Sequence, residues 1–236
     1  MCGRFKLYFF PDAEWEFEQL FGITLPRFEY PPILSDDMLP YNDITAIRTD
    51  RHNELSARSM FWNLIPYNSA EFKPTRTWFN TRLENLEQPY IKNLVTRRRC
   101  IIPVNSFLEN KHVGGKPVFH SVKINGKSIR KKESYEFKDC EQSLIALGGI
   151  YDVWKGPDGV FSYSCSIITM DPNPLVAEIH ERMPFILPKE IIKLWLDKGL
   201  DDFAFLSDLI KPYPEERLER GQLWPGMPMT TNLFDS

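Results

Sequence analysis

The residue with the most distinctive chemistry in this chain is its second. Cys2 follows Met1 and precedes Gly3 and Arg4. Aminopeptidases remove an initiator methionine ahead of a small side chain, and cysteine is small. Processing would leave Cys2 with a free α-amine and a thiol on adjacent carbons. Such a 1,2-aminothiol condenses with an aldehyde through nitrogen, giving a Schiff base. The sulfur then closes onto the same carbon, giving a thiazolidine. An α-amine of pKa about 7.7–8.0 beside a thiol of about 8.5 keeps both groups partly reactive near neutral pH. Gly3 allows close backbone approach, and Arg4 sets a permanent cation beside the nucleophile. The plain alternative is a fraying terminus. If Met1 is retained, the amine stays locked in a peptide bond.

Four further segments carry residue types suited to chemistry. Asn80-Thr81-Arg82-Leu83-Glu84 places an amide and a guanidinium two residues apart. Asn80 could be a helix cap, or it could orient a substrate oxygen while Arg82 grips a phosphate. Arg97-Arg98-Arg99 is the densest positive charge in an acidic chain, and reads as a solvated turn leading into a strand. Glu109 ends that strand in Ser106-Phe107-Leu108-Glu109-Asn110. Burial in an aromatic cleft would raise its pKa and make it a general acid/base. His180, in Ile179-His180-Glu181-Arg182-Met183-Pro184, sits where a helix must end before proline. It either complements the helix dipole or shuttles protons near pH 7.

The elements that must position these residues follow from pattern. Residues 4–9 alternate as a strand, and a helix opens at Pro11-Asp12 and stops at Gly22, with Trp15, Phe17, Leu20 and Phe21 apolar. Residues 25–40, rich in proline, form an ordered extended crossing. Strands are predicted at 43–49, 55–64 and 100–109, and a short helix follows Trp78 until Pro89 interrupts it. In 100–109 the alternation puts Ile102, Val104 and Ser106 on one face, and Ile101, Pro103, Asn105, Phe107 and Glu109 on the other. Asn125-Gly126 between alternating segments marks a hairpin. Residues 131–143 are polar and read as an extended excursion. Strands at 144–154 and 160–169 are joined by the turn Gly156-Pro157-Asp158-Gly159. A short helix from Asp171-Pro172-Asn173-Pro174 carries Val176, Ile179 and His180. A short strand spans 183–187, Pro188 opens a helix through KEIIKLWL, and the proline-rich tail is irregular. With no repeat and no linker, residues 1–236 read as one α+β domain: a mostly antiparallel sheet curled into a barrel, with short flanking helices.

Composition narrows the function classes. The 236 residues carry a net charge of −3, which excludes a general polyanion-coating protein. It leaves room for a local phosphate groove, because affinity follows the phosphates contacted. No apolar run approaches the ~20 residues that cross a bilayer, and no signal peptide is visible. Cys2, Cys100, Cys140 and Cys165 show no C-x-x-C pair, so neither a disulfide framework nor a zinc site is expected. A reducing, cytoplasmic compartment fits best.

Taken together and in this order, the segments resemble the SOS-response-associated peptidase (SRAP) family, which senses abasic sites in DNA. The matching pieces are MCGRF at the start, Pro40-Tyr41-Asn42, FWNLIP at 61–66, FNTRLE at 79–84, RRRCIIPVNSFLE at 97–109, ALGGIYDVW at 146–154 and IHERMPFIL at 179–187. The resemblance covers nearly the whole chain. It implies binding to single-stranded DNA, and covalent attachment of the N-terminal cysteine to the ring-opened aldehyde of an abasic site as a thiazolidine. On this resemblance Cys2 is the nucleophile and Asn80 positions its amine and the substrate. Glu109 donates and accepts protons, and His180 assists sugar opening. Arg4, Arg82 and Arg182 hold flanking phosphates, while Tyr67 stacks on a base. The "peptidase" label would then describe removal of the chain's own leading residue. No cofactor, metal or membrane is implied, and a monomer is expected. The chain departs from the family's G-F-Y-E-W at Ser106-Phe107-Leu108-Glu109-Asn110, and carries Asn63 where glycine is usual. Only Tyr67 is aromatic in the loop after Pro66, and the polar 123–143 region is longer than usual.

Two other classes stay open on sequence. An N-terminal-cysteine amidohydrolase, such as a glutamine amidotransferase, also begins Met-Cys-Gly, but the Asn-Gly-rich segments it would use for an oxyanion hole are not seen. A single-strand-binding module without chemistry would have no need of Cys2, Asn80, Glu109 and His180 together.

Overall fold

The computed structural model describes residues 2–8, 10–11, 14–124 and 127–223. The predicted helix start at Asp12, the Asn125-Gly126 turn, the state of Met1 and the tail from 224 lie outside the described residues.

Five long strands close on themselves. Asp43–Thr49, Leu55–Trp62, Arg99–Val104, Ile145–Lys155 and Phe161–Met170 pair in the order 55–62, 43–49, 99–104, 145–155, 161–170. The ring closes through a parallel contact of Ser164 with Phe61 and Cys165 with Trp62. These strands are rich in β-branched and aromatic residues, and the barrel leaves them no open edge along most of their length. Closure needs close approach at Gly148 and Gly149. A Cβ on Gly148 would lie 2.3 Å from the Phe185 ring, and one on Gly149 2.7 Å from Ile102 Cδ1.

A second antiparallel sheet packs beside the barrel, in the order Leu218–Leu223, Ser134–Asp139, Ser106–Asn110, Phe5–Leu7, Ser35–Met38. The two sheets share one core. Trp62 from the barrel meets Phe5 at 4.9 Å between ring centres, and Phe107 stacks on Phe137 at 5.0 Å. Each such fully buried large apolar side chain contributes about 1.5–3 kcal/mol. Helices Glu14–Phe21, Pro89–Arg97 and Lys189–Leu196 cover the outside. Among the described residues no helix is long and apolar enough to cross a membrane. The predicted fold class holds.

Several local expectations are corrected. The predicted strand 100–109 is two strands, broken at Asn105, and the break carries the chain from the barrel into the second sheet. Asn105 makes the corner possible: its Oδ1 accepts from Tyr8 N (2.8 Å) and its Nδ2 donates to Ser143 O (2.8 Å). All of residues 99–109 are buried, so alternation there says nothing about faces. Pro89 begins the helix Pro89–Arg97 instead of interrupting one, since the first helical position needs no N–H. Asn80 caps no helix; it starts a short strand, Asn80–Arg82, that runs parallel to Phe161–Met170. The "polar excursion" contains Ser134–Asp139, an interior strand between Ser106–Asn110 and Leu218–Leu223. Its carboxylates are paired: Glu136 with Lys6 Nζ (2.8 Å) and Ser106 Oγ (2.5 Å), and Asp139 with Tyr213 Oη (2.6 Å). The tail is likewise not wholly irregular, because Leu218–Leu223 completes this sheet.

The arginine triplet also differs from expectation. Arg97 is exposed, whereas Arg98 pairs with Asp152 and Arg99 is buried. The Arg99 guanidinium donates to the carbonyls of Val95 (2.7 Å), Thr96 (2.7 Å), Trp195 (2.5 Å), Leu200 (2.9 Å) and Asp197. It closes the ends of two helices, and burial lowers its pKa to about 10.

Candidate active site

The site forms where the second sheet meets the barrel. Strand Phe5–Leu7 lies antiparallel to Ser106–Asn110, with Phe5 opposite Phe107 and Lys6 opposite Ser106. The Leu108 N–H also donates to Arg4 O (2.9 Å). An antiparallel register runs residues before Phe5 alongside those after Phe107. Cys2 is thereby brought to Glu109, and it is fully buried. Asn80 reaches the same place from the barrel side: its Nδ2 donates to Cys2 O at 2.8 Å. That bond fixes the amide's orientation, so Asn80 Oδ1 faces the site as an acceptor. Oδ1 is buried and has no hydrogen-bond partner among the described residues.

His180 arrives from the third direction. Asn173 caps the short helix Pro174–Ala177 by accepting from Val176 N (2.9 Å), and His180 N donates back to Val176 O (2.9 Å). The Arg182 N–H donates to His180 Nδ1 at 3.1 Å. Nδ1 is therefore the acceptor, and the neutral ring carries its proton on Nε2. Nε2 lies 4.0 Å from Glu109 Oε2. The His112 ring packs edge-on against His180 at 4.7 Å, and its backbone N–H donates to Ile179 O (2.8 Å).

Burial sets the titration of these groups, and runs against the expectations for His180 and for the Cys2 thiol. Glu109 is 4% exposed, and desolvation raises its pKa from 4.5 to about 7. Desolvation lowers His180 from 6.5 to about 4. At neutral pH the histidine is a neutral hydrogen-bonding group, and Glu109 is the residue poised to exchange a proton. Two groups whose environments push their pKa values past each other have an assignable division of labour. The Cys2 thiol does not keep the ordinary value assumed from sequence. Burial, and then the Glu109 charge, push it well up, so it stays protonated until a neighbour takes the proton.

The expected DNA contacts are placed unevenly. Arg82 is exposed and makes no ion pair among the described residues. Arg4 is paired with Asp37. Arg182 is 6% exposed and is held by both Glu84 oxygens, by Asp171 Oδ1 (3.1 Å) and by Thr169 O (2.7 Å). A phosphate at Arg4 or Arg182 would have to displace a carboxylate. Tyr67 is exposed on a loop whose Tyr67 N–H donates to Asp152 Oδ2 (2.8 Å). Two separate surface hollows flank these residues: one is lined by Asn80, Arg82 and Thr77, the other by Tyr67, Tyr90 and Arg98, and Arg76 and Trp78 border both. Cys2, fully buried, lines neither.

Trp78, Arg76 and His112 were not singled out from the sequence. Arg76 lies 3.5 Å over the Trp78 ring, and Trp78 packs against Tyr90 at 5.6 Å. The signal available was proximity in the chain: Trp78 is two residues before Asn80, and His112 three after Glu109. Among the described residues no cluster of three His, Cys, Asp or Glu side chains is placed to hold a metal ion.

Fold and site together define a class. The profile described as "SOS response associated peptidase (SRAP)" matches residues 1–224, and the chain belongs to this family. Among its relatives, "Abasic site processing protein YoqW" of Bacillus subtilis (strain 168) is 35% identical over 226 residues, 94% of this chain and 92% of that one. "Abasic site processing protein HMCES" of Mus musculus is 31% identical over 157 residues, 59% of this chain and 44% of that one. A crystal structure of a Bordetella bronchiseptica protein superposes with a TM-score of 0.71 at 20% identity, covering 95% of this chain and 100% of the other, a likeness of fold.

Proposed function

We propose that this protein captures abasic sites in single-stranded DNA by bonding Cys2 to the ring-opened sugar. The observation that carries the reading is the convergence of Cys2, Asn80, Glu109 and His180 from separate segments onto one buried point. The family relatives named as abasic site processing proteins support it.

The reaction needs an aldehyde, an amine and a thiol. Hydrolysis of the Met1–Cys2 bond supplies the amine, and this single cleavage accounts for peptidase character. An abasic deoxyribose is mostly a closed hemiacetal, so opening it needs one proton delivered to the ring oxygen and one removed from the anomeric hydroxyl. Glu109, near half-protonated at pH 7, exchanges the proton, and His180 Nε2–H steadies the oxygen. Positioned acid/base groups of this kind contribute about 10²–10⁴-fold. The Cys2 amine then attacks the aldehyde carbon, and protonated Glu109 returns its proton to the departing hydroxyl, so that water leaves and an iminium forms. Finally the thiol gives its proton to the Glu109 carboxylate as sulfur bonds the iminium carbon. The ring nitrogen becomes a neutral secondary amine. The sum is aldehyde plus aminothiol giving thiazolidine plus water, with no redox change. Asn80 holds the Cys2 carbonyl through Nδ2 and offers Oδ1 to a sugar hydroxyl.

Arg82 meets a flanking phosphate directly. Arg4 and Arg182 do so by exchanging Asp37 and Asp171 or Glu84 for phosphate oxygens. Tyr67 and Trp78, which line one surface hollow, stack on bases, at roughly 1–3 kcal/mol per base. None of these contacts reads base edges, so capture is independent of sequence.

The test is incubation of the Met1-processed protein with a single-stranded oligonucleotide bearing one abasic site, followed by denaturing electrophoresis. A shifted band that Cys2→Ala abolishes is expected. No band, or an equal yield from Cys2→Ala, overturns the proposal.

A further inference from the structure

Beyond the Cys2 site, the described surface carries one concentrated cationic arm. Strands Phe119–Ile124 and Lys127–Lys132 pair only with each other, as an isolated two-stranded ribbon. Every residue of Lys127–Lys132 is exposed. From His112 to Lys132 the sequence holds Lys116, Lys123, Lys127, Arg130, Lys131 and Lys132 and no aspartate or glutamate, in a chain whose acidic residues outnumber its basic ones by 32 to 29. Among the described residues none of these six cations makes an ion pair. The carboxylate at the ribbon's base, Glu133, is already taken. It accepts from Tyr135 Oη (2.6 Å), meets His120 Nε2 (2.6 Å) and pairs with Lys111 (3.4 Å), which together hold its pKa down at about 2.

The ribbon is rooted at the end of the strand that carries Glu109. The strand bearing Glu109 runs on into Lys111, whose N–H donates to Glu133 O (2.8 Å). Glu133 N donates to Val118 O (2.9 Å), and Val118 N to Lys111 O (2.8 Å). His112, between that strand and the ribbon, is the residue packed on His180. The cross-strand register puts Lys132 opposite Phe119, Arg130 opposite Ser121 and Lys123 opposite Ser128. Lys123, Arg130 and Lys132 therefore share one face, with His120 and Lys131 on the other.

We propose that this ribbon is a docking arm for duplex DNA lying beside the captured single strand. A two-stranded β-ribbon is narrow enough to enter the major groove. Six residues of strand span about 20 Å, close to six base pairs at about 3.4 Å rise. Unpaired lysines and an arginine without neighbouring carboxylates match phosphates on either wall of the groove. The partner is identified by charge: a rigid polyanion, next to a site that itself accepts DNA. The proposal rests on the reading of Cys2 as the capture site only for where the duplex lies.

The test separates the two. A 20-base-pair duplex with a single-stranded overhang and no abasic site is titrated with wild type and with the fourfold variant Lys127→Gln, Arg130→Gln, Lys131→Gln, Lys132→Gln, between 50 and 200 mM KCl. All four side chains are exposed, so the fold is kept. A fourfold control, Lys73→Gln, Lys155→Gln, Lys193→Gln, Lys211→Gln, removes the same charge elsewhere. Each lost phosphate contact flattens the slope of log affinity against log salt by about 0.9. The ribbon variant should flatten it by about 2–4 and weaken duplex binding at least about tenfold at 50 mM, while the control keeps the wild-type slope. Equal slopes for wild type and the ribbon variant overturn the proposal, as does an equal loss in the control. Weakened binding to the single strand alone also overturns it, by assigning the ribbon to the captured strand. Cys2→Ala should bind the duplex like wild type while forming no adduct. A wild type that binds duplex through the ribbon but forms no adduct defeats the capture reading and leaves the arm.

Discussion

Replacing Glu109 by glutamine should make the folded protein more stable, and more so as pH rises. Burial holds the Glu109 pKa at about 7, against an ordinary 4.5. Between these two values the folded chain keeps a proton that the unfolded chain has lost. Wild-type stability therefore declines through that window, and above pH 7 the full cost of a buried carboxylate is present. A displacement from 4.5 to about 7 amounts to about 3 kcal/mol, at about 1.4 kcal/mol per pH unit. Glutamine keeps the shape and does not ionise. The assay is urea unfolding of wild type and Glu109→Gln at pH 4 and pH 8. The stability gap should shift by about 3 kcal/mol in the variant's favour from the lower to the higher pH. His180 titrates in the opposite sense. Its folded value is depressed to about 4, so the stability it contributes above 6.5 is lost as pH falls toward 4. Both proteins carry His180, so its contribution largely cancels in the difference. The same variant should slow adduct formation at least about tenfold. A gap that does not move between the two pH values would refute the claim that desolvation tunes this residue, and with it the acid/base role.

Two further outcomes follow from contacts away from Glu109. Arg99→Met should lower unfolding free energy by about 3–5 kcal/mol, because carbonyls at two helix ends lose their donor in a buried place; a loss under about 1 kcal/mol by chemical denaturation would show that those carbonyls find other partners. Asp171→Asn should raise affinity for undamaged single-stranded DNA about two- to fivefold at low salt, by freeing Arg182 from one exposed partner worth a few tenths to about 1 kcal/mol. The gain should shrink as salt screens it, and unchanged binding in a fluorescence titration would place the phosphates away from Arg182.

The barrel was the most legible part of the chain. Asp43–Thr49, Leu55–Trp62 and the pair Ile145–Lys155 and Phe161–Met170 announce themselves by apolar content bounded by turn residues. The second sheet was less so. Ser134–Asp139 looks like solvated chain until Lys6, Ser106, Tyr213 and Arg217 are brought to its carboxylates by residues up to 130 positions away. No local pattern encodes a partner at that distance. The corner at Asn105 is hidden for a related reason, since two strands buried on both faces read as one continuous run. In the candidate site, motifs singled out Cys2, Asn80, Glu109 and His180, which the fold brings together. The rise at Glu109 could be anticipated only on condition of burial, and the fall at His180 was not anticipated, because burial belongs to the assembled fold. Arg99 shows the same limit: beside Arg97 and Arg98 it looks like surface charge, and it is a structural clasp.

Strand Phe5–Leu7 is an interior member of its sheet, hydrogen-bonded on one side to Ser106–Asn110 and on the other to Ser35–Met38. Anything bonded to Cys2 is thus tethered three residues from a strand gripped along both edges. Tension along that strand's axis would load the bonds of two ladders at once, in shear, instead of unzipping them singly. A molecular motor pulling on the attached polymer would have to break that anchorage before the chain's leading end gave way.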